Sequence, residues 1–389
     1  MKINQSYLEI TKSKTKALSS LKKKIESSRL IDFAHGDVGI HLSQTCIAEI
    51  SKLSAQKKVY SYGSPQGNIH LIDYLANDYG VDSENIFIGL GVKSLCLNLF
   101  RLLLKQNDSV LILGPNWLTY QHQLDFLGID HLTVLPNDDF LFPVIGIQEI
   151  INKKKSIKMI VVSNPNNPTG GMLKQNELSD LFELACEYNL VLVMDEVFSD
   201  LVFENKEYNS IKDLYSDRFK SILDNVVVIN SGSKSYGVSG FRVGYLVADS
   251  KIIEHLAKYA NLDYNNVPDL LQLAYLHELK NRVNHNKQIK LIANRYYAVR
   301  DAIDYSKHLM LNTGGGGITV FPSFTKHSDL GRNADQIAFD LLEKEQVAVV
   351  SGCAFGFPKH LRLAFSHLNK NDIERGINKI DKLIDSYEK

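Results

Sequence analysis

Short apolar runs recur through the middle of this chain: Ile86 to Ile88, Val110 to Leu113, Met159 to Val162, Leu190 to Met194, Val226 to Ile229 and Tyr245 to Val247, several of them bounded by turn-forming residues. Runs without polar alternation read as strands buried on both faces. Between several of them lie stretches such as L-K-Q-N-E-L-S-D-L-F-E-L-A-C-E-Y, Leu173 to Tyr188, with apolar residues on one helical face. Strand and helix in alternation predict an α/β fold, a large domain with a mostly parallel sheet flanked by helices. Such sheets take ligands in the crevice beyond the carboxyl ends of their strands. The loops that follow each run are therefore where function is to be sought.

At 389 residues the chain is too long for one simple core. From about Lys287 the pattern changes to long helical segments around short strands near Thr319 to Phe321 and Val347 to Val350, ending in an amphipathic helix from Asn371 to Tyr387. This predicts a smaller α+β domain over 287–389, joined by an N-terminal segment 1–48, with the large domain at 49–286. The run Gly314 to Gly317 reads as a flexible turn. Lys+Arg and Asp+Glu both number 44, so no overall field draws in nucleic acid or an anionic membrane. The basic triplets Lys22 to Lys24 and Lys153 to Lys155 read as solvated faces. Cys46, Cys96, Cys186 and Cys353 are far apart, mostly in apolar contexts, which suggests buried thiols in a reducing compartment. The N-terminus lacks an apolar signal region and no run reaches about 18 apolar residues, so a cytoplasmic protein is expected. Twelve histidines show no ligand spacing, and no metal is expected.

The loops beyond the strands carry unusual chemistry. Ile86 to Ile88 leads into G-L-G-V-K-S, where two glycines let backbone amides approach an anion at a helix N-terminus. Met159 to Val162 leads into S-N-P-N-N-P-T-G, a turn stiffened by two prolines. Leu190 to Met194 leads into Asp195, whose burial requires a cationic partner unless it serves as a helix cap. Val226 to Ile229 leads into N-S-G-S-K-S, with Lys234 among serines and Arg242 eight residues on. Singly, each has a structural explanation. Together, an anion loop, a carboxylate, an asparagine turn, an amine and an arginine suit a cofactor with a phosphate, a ring nitrogen, a phenolic oxygen and an aldehyde.

These motifs, with Y-G-S-P-Q-G (Tyr62 to Gly67), P-N-W (Pro115 to Trp117), D-E-V-F, F-R-V-G-Y and L-R-L-A-F (Leu361 to Phe365), resemble the fold-type I pyridoxal phosphate enzymes of the class I/II aminotransferase family, in the same order over nearly the whole chain. The resemblance implies pyridoxal 5'-phosphate as cofactor, with Lys234 as its Schiff-base partner and the group that shuttles a proton between Cα and C4′. It implies that Arg242, Ser231, Ser233 and the stretch Gly91, Val92, Lys93 hold the phosphate. Asp195 would pair with the pyridine nitrogen, Trp117 lie on the ring and Asn167 donate to the phenolic oxygen. Arg362 would grip the substrate α-carboxylate, and Gly36 would let the N-terminal segment close over the substrate. Tyr62 resembles a residue that reaches the phosphate of a neighbouring subunit, implying a homodimer with shared sites.

The chain departs from the family at Phe198, where a tyrosine hydroxyl usually donates to the phenolic oxygen; Tyr60 and Tyr236 are candidates to replace it. Gly317-Ile318-Thr319-Val320 stands where Gly-Ala-Phe-Tyr is common, and Ser351 where a proline is customary. The leading reading is amino transfer from an L-amino acid to a 2-oxo acid by a ping-pong route, with Lys93 favouring an acidic partner. The alternatives are β-elimination on the same scaffold and a binding protein without turnover. No helix-turn-helix pattern accompanies the latter.

Overall fold

The computed structural model describes residues 5–8, 29–137, 144–204, 207–324 and 332–387. Strands β2 (Ile86–Gly89), β3 (Ser109–Leu113), β4 (Asp130–Val134), β5 (Ile157–Ser163), β6 (Val191–Asp195), β7 (Val226–Ser231) and β8 (Gly244–Val247) form one sheet in the order β2-β8-β7-β6-β5-β3-β4. All neighbours are parallel except at β8, which is antiparallel to β2 and to β7. Successive side chains enter opposite layers: Val193 joins one apolar layer, Leu192 and Met194 the other. Two buried faces explain the unbroken apolar runs. The edge strand β4 was invisible as such a run because D-H-L-T-V is polar at its first, second and fourth positions and only half-buried.

The helix expected over Leu173 to Tyr188 spans Gln175–Glu187, and buries Leu178, Leu181, Phe182 and Ala185 on one face. Its entry is fixed where the Glu177 carboxylate accepts the Lys174 amide at 2.9 Å.

In the second lobe β1 (Ile31–Asp32) pairs in parallel with β10 (Val347–Ala348), and β9 (Thr319–Val320), β11 (Val350–Ser351) and β12 (Leu361–Ala364) form an antiparallel sheet in the order β11-β12-β9. Helices Arg282–Asp304 and Lys370–Asp385 pack together beside them. Residues following β1 are strapped to this lobe: Arg295 donates to the Val38 carbonyl at 3.2 Å, Gln288 to that of His41 at 3.0 Å, and Ser366 to that of Asp37 at 2.7 Å.

Two expectations need correction. Cys46 and Cys96 are buried, but Cys186 is exposed on its helix and Cys353 only partly covered. The Gly314 to Gly317 run is no free turn: Gly316 donates to the Gly170 carbonyl, Gly317 to that of Leu201, and the Gly315 carbonyl accepts from Phe203. A Cβ at Gly316 would lie 2.7 Å from Pro165 Cβ, so the run is glycine-rich because the asparagine turn packs against it. Among the described residues no helix is long and apolar enough to cross a membrane.

Candidate active site

Parallel strands β5, β6 and β7 end side by side, which brings Ser163, Asp195 and Ser231 to one edge of the sheet. The antiparallel β8 starts at that same edge, with Gly244 opposite both Ser231 and Gly89. The reversal explains how Arg242, two residues before β8, returns to the end of β7 and the start of the helix Val92–Leu103. A cavity of about 680 Å³ opens there, lined by Gly36, Val92, Lys93, Trp117, Asn167, Asp195, Ser231, Ser233, Lys234, Arg242 and Arg362, among others. Eleven of the residues singled out from the sequence are thus assembled on one wall system. Gly91 stands directly behind them as the helix cap. Tyr62 is 89 % exposed and does not line this cavity.

The phosphate end is built from backbone. Gly91 has φ +81°, and the amides of Val92 and Lys93 open the 12-residue helix Val92–Leu103, where no preceding turn supplies acceptors. Arg242, itself at φ +57°, donates to the carbonyls of Ser239 at 2.8 Å and Leu90 at 3.2 Å, which fixes its guanidinium beside this terminus. A Cβ at Gly91 would lie 2.9 Å from Arg242 Nη2, and one at Gly244 would lie 2.8 Å from Gly91 Cα. The cradle therefore requires glycine at both places.

On the same cavity wall, Asp195 is 2 % exposed and burial pushes its carboxyl up to about 6, opposed by hydrogen bonds from the Tyr120 hydroxyl at 2.5 Å and the Val197 amide at 3.2 Å. Its turn to Val197 is local, and it caps no helix. Tyr120 was not singled out from the sequence. Its only signal is its place three residues after Trp117, on which its ring packs edge-on at 5.4 Å. Lys93 Nζ lies 5.5 Å from the centroid of the Trp117 ring. The Asn167 side-chain oxygen is buried without a protein partner, an acceptor that a ligand N–H or O–H would satisfy, with the amide nitrogen of the same side chain as its donor end.

Lys234 Nζ donates to the Gly36 carbonyl at 2.6 Å. Burial lowers the pKa of this amine; Asp37 opposes the shift, while the positive charges of Arg362 and Arg242 add to it. A half-buried lysine on a cavity wall shared with two arginines has the surroundings that suit an amine nucleophile or base. Arg362, on β12, donates through Nη2 to the Ala34 carbonyl at 2.9 Å, and its Nε is buried with no partner. Burial presses its guanidinium down to about 10, with Asp32 opposing, so it stays cationic at neutral pH. At Gly36 a Cβ would meet nothing within 4 Å. The residue contributes its carbonyl, and close packing does not demand glycine there.

Phe198 is buried on the cavity wall, and neither candidate to replace its missing hydroxyl stands near. Tyr60 donates to the Ser54 carbonyl at 2.6 Å, and Tyr236 stacks on His285 at 4.1 Å away from this cavity.

The cavity therefore offers a phosphate cradle, a buried carboxylate, an asparagine with an unpartnered side-chain oxygen and an amine whose pKa is lowered. This donor set fits pyridoxal phosphate. The sequence profile described as aminotransferase class I and II matches residues 28–380. The chain is 27 % identical over 352 residues to a probable aspartate/prephenate aminotransferase of Aquifex aeolicus, covering 88 % of this chain and 87 % of that one. It is 26 % identical over 411 residues to the aspartate aminotransferase of Bacillus subtilis, which it matches end to end at 100 % of both chains. The aspartate aminotransferase structure of Thermotoga maritima superposes with a TM-score of 0.87 at 23 % identity, over 98 % of this chain and 100 % of that one. With profile, relatives and donor set in agreement, the chain belongs to the class I and II aminotransferases and is a pyridoxal phosphate-dependent transferase that moves amino groups between amino acids and oxo acids.

Proposed function

We propose that this enzyme takes its amino group from an acidic L-amino acid and passes it to a 2-oxo acid in two half-reactions, using Lys234 as the proton carrier. The observation that carries the assignment of Lys234 is its amine, held at 2.6 Å from the Gly36 carbonyl on the wall of the cavity it shares with Arg242 and Arg362, with its pKa lowered. Pyridoxal phosphate, when bound, supplies an aldehyde to take up the amine and a ring to draw off the electrons released at the α-carbon.

The chain's own residues hold and orient. Arg242, Ser231, Ser233 and the amides after Gly91 would hold the phosphate; Asp195 would pair with the ring nitrogen and favour its protonated form; Asn167 would donate to the phenolic oxygen through its amide nitrogen, and Trp117 would lie on the ring. Arg362 binds the α-carboxylate through two parallel hydrogen bonds, for which its unpartnered Nε is available. Lys234 would tether the cofactor's aldehyde carbon and, when released from it, its Nζ would serve as the base that takes up and returns the substrate's α-proton. Lys93, on the cavity wall, favours a second carboxylate on the substrate. The exposed Tyr62 acts in a homodimer, reaching the neighbouring subunit's phosphate. A reducing compartment, the cytoplasm, suits the free buried thiols of Cys46 and Cys96.

The test is the visible spectrum of enzyme reconstituted with pyridoxal phosphate, recorded with acidic, aromatic, branched, basic and sulfur-containing amino acids. Aspartate or glutamate should bleach the cofactor band, and a 2-oxo acid should restore it. Release of ammonia and an oxo acid without any acceptor would instead establish elimination.

A further inference from the structure

After the phosphate, the ring nitrogen, the aldehyde and the α-carboxylate have each been given a partner, two basic side chains on the cavity wall remain: Lys93 and His35. His35 has no role so far. Its position is set from both sides along the chain. The carbonyl of Ala34 is held by Arg362 at 2.9 Å, and that of Gly36 by Lys234 at 2.6 Å. A substrate must stretch between the same two groups, with its carboxylate at Arg362 and its amine where Lys234 stands. Residue 35 therefore flanks the α-carbon, from which the amino-acid side chain departs.

The imidazole is also pre-positioned. Its ring meets His367 edge-on at 5.5 Å and 88°, its Nε2 lies 3.9 Å from an Asp37 oxygen, and the backbone of Asp37 is held by Ser366. Two positions further along, a Cβ at Gly39 would lie 2.7 Å from His367 Cα, so the segment is seated tightly on the small lobe. The side chain itself is 62 % exposed, open to an incoming molecule.

We propose that His35 is a specificity-determining residue that, together with Lys93, reads an anionic group at the end of the amino-acid side chain, its imidazole N–H donating to that group. The inference deepens the proposed function and rests on Arg362 taking the α-carboxylate. It predicts that selectivity for acidic over neutral amino acids is divided between two walls of the cavity, so that losing one donor weakens it without abolishing it.

The test separates binding from turnover. The holoenzymes of wild type, His35→Ala, His35→Gln and Lys93→Ala are titrated with succinate and with butyrate, which lack an amino group, and followed by the change in cofactor absorbance. A hydrogen bond to a charged group at an exposed site supports about a tenfold effect. His35→Ala should weaken succinate about tenfold and butyrate less than twofold, His35→Gln should recover part of the loss, and kcat/KM for aspartate and glutamate should fall about tenfold further than that for alanine. Equal weakening of succinate and butyrate, or no weakening of either, overturns the proposal. If succinate discrimination behaves as stated but no amino acid bleaches the cofactor, the assignment of His35 stands and the proposed amino donor falls.

Discussion

Asp195 holds its place in the cofactor-free protein at a measurable cost. Burial lifts its carboxyl to about 6, whereas an unfolded aspartate titrates near ~3.9. Between these values the folded chain keeps a proton that the unfolded chain has released. The sign follows: the contribution of this group is most favourable below about pH 4 and declines as the pH rises through about 6. With one pKa unit worth about 1.4 kcal/mol, the penalty is about 1.5 kcal/mol at pH 5 and about 3 kcal/mol at pH 8. Asp195→Asn removes the charge and keeps the shape. Urea denaturation of cofactor-free wild type and variant should show the variant gaining stability relative to wild type, by about 1.4 kcal/mol more at pH 8 than at pH 5. Glu196, buried beside it and pushed up to about 7 by burial, is common to both proteins and cancels. With cofactor bound the order should reverse, since the ring nitrogen loses its counter-ion. A gain that does not change with pH, or a loss that grows with pH, refutes the reasoning that the carboxylate is kept charged at the expense of stability.

Three further outcomes follow from the geometry. Restoring the hydroxyl with Phe198→Tyr should lower the midpoint of the holoenzyme's visible-absorbance titration by about one pH unit, because a donor to the phenolic oxygen favours its ionised form; an unchanged midpoint means another group already supplies that bond. Gly91→Ala forces a Cβ to within 2.9 Å of Arg242 Nη2 at φ +81°, and should weaken pyridoxal phosphate about tenfold or more in equilibrium dialysis. Arg362→Lys keeps the charge but loses the two-pronged geometry, and should cut kcat/KM for the amino acid about a hundredfold with cofactor affinity unchanged within about twofold.

How far these features could be read from the chain alone depends on what each residue must satisfy locally. The core strands were legible because burial on two faces favours unbroken apolar runs, so their carboxyl ends, and with them Asp195 and Ser231, could be placed within two residues. The edge strand β4 has one face in partial contact with solvent and carries Asp130, His131 and Thr133, which hides it. That β8 runs against its neighbours is a matter of connection length and packing, to which its apolar run is blind. Tyr120 was missed because a buried tyrosine looks like core until the partner of its hydroxyl is known. The glycine run at 314–317 signals freedom in sequence and crowding in the fold, since glycine meets either demand. Tyr60 and Tyr236 offered hydroxyls in the right composition but on the wrong walls.

Amino transfer at this site requires one covalent partner for the cofactor, and Lys234 is the residue assigned to it. Holoenzyme treated with borohydride, digested and analysed by mass spectrometry should carry the reduced pyridoxyl group on the peptide containing Lys234, at close to one per chain, and Lys234→Ala should carry none and lose transamination. A pyridoxyl group on any other lysine, or turnover by Lys234→Ala at the wild-type rate, would contradict it.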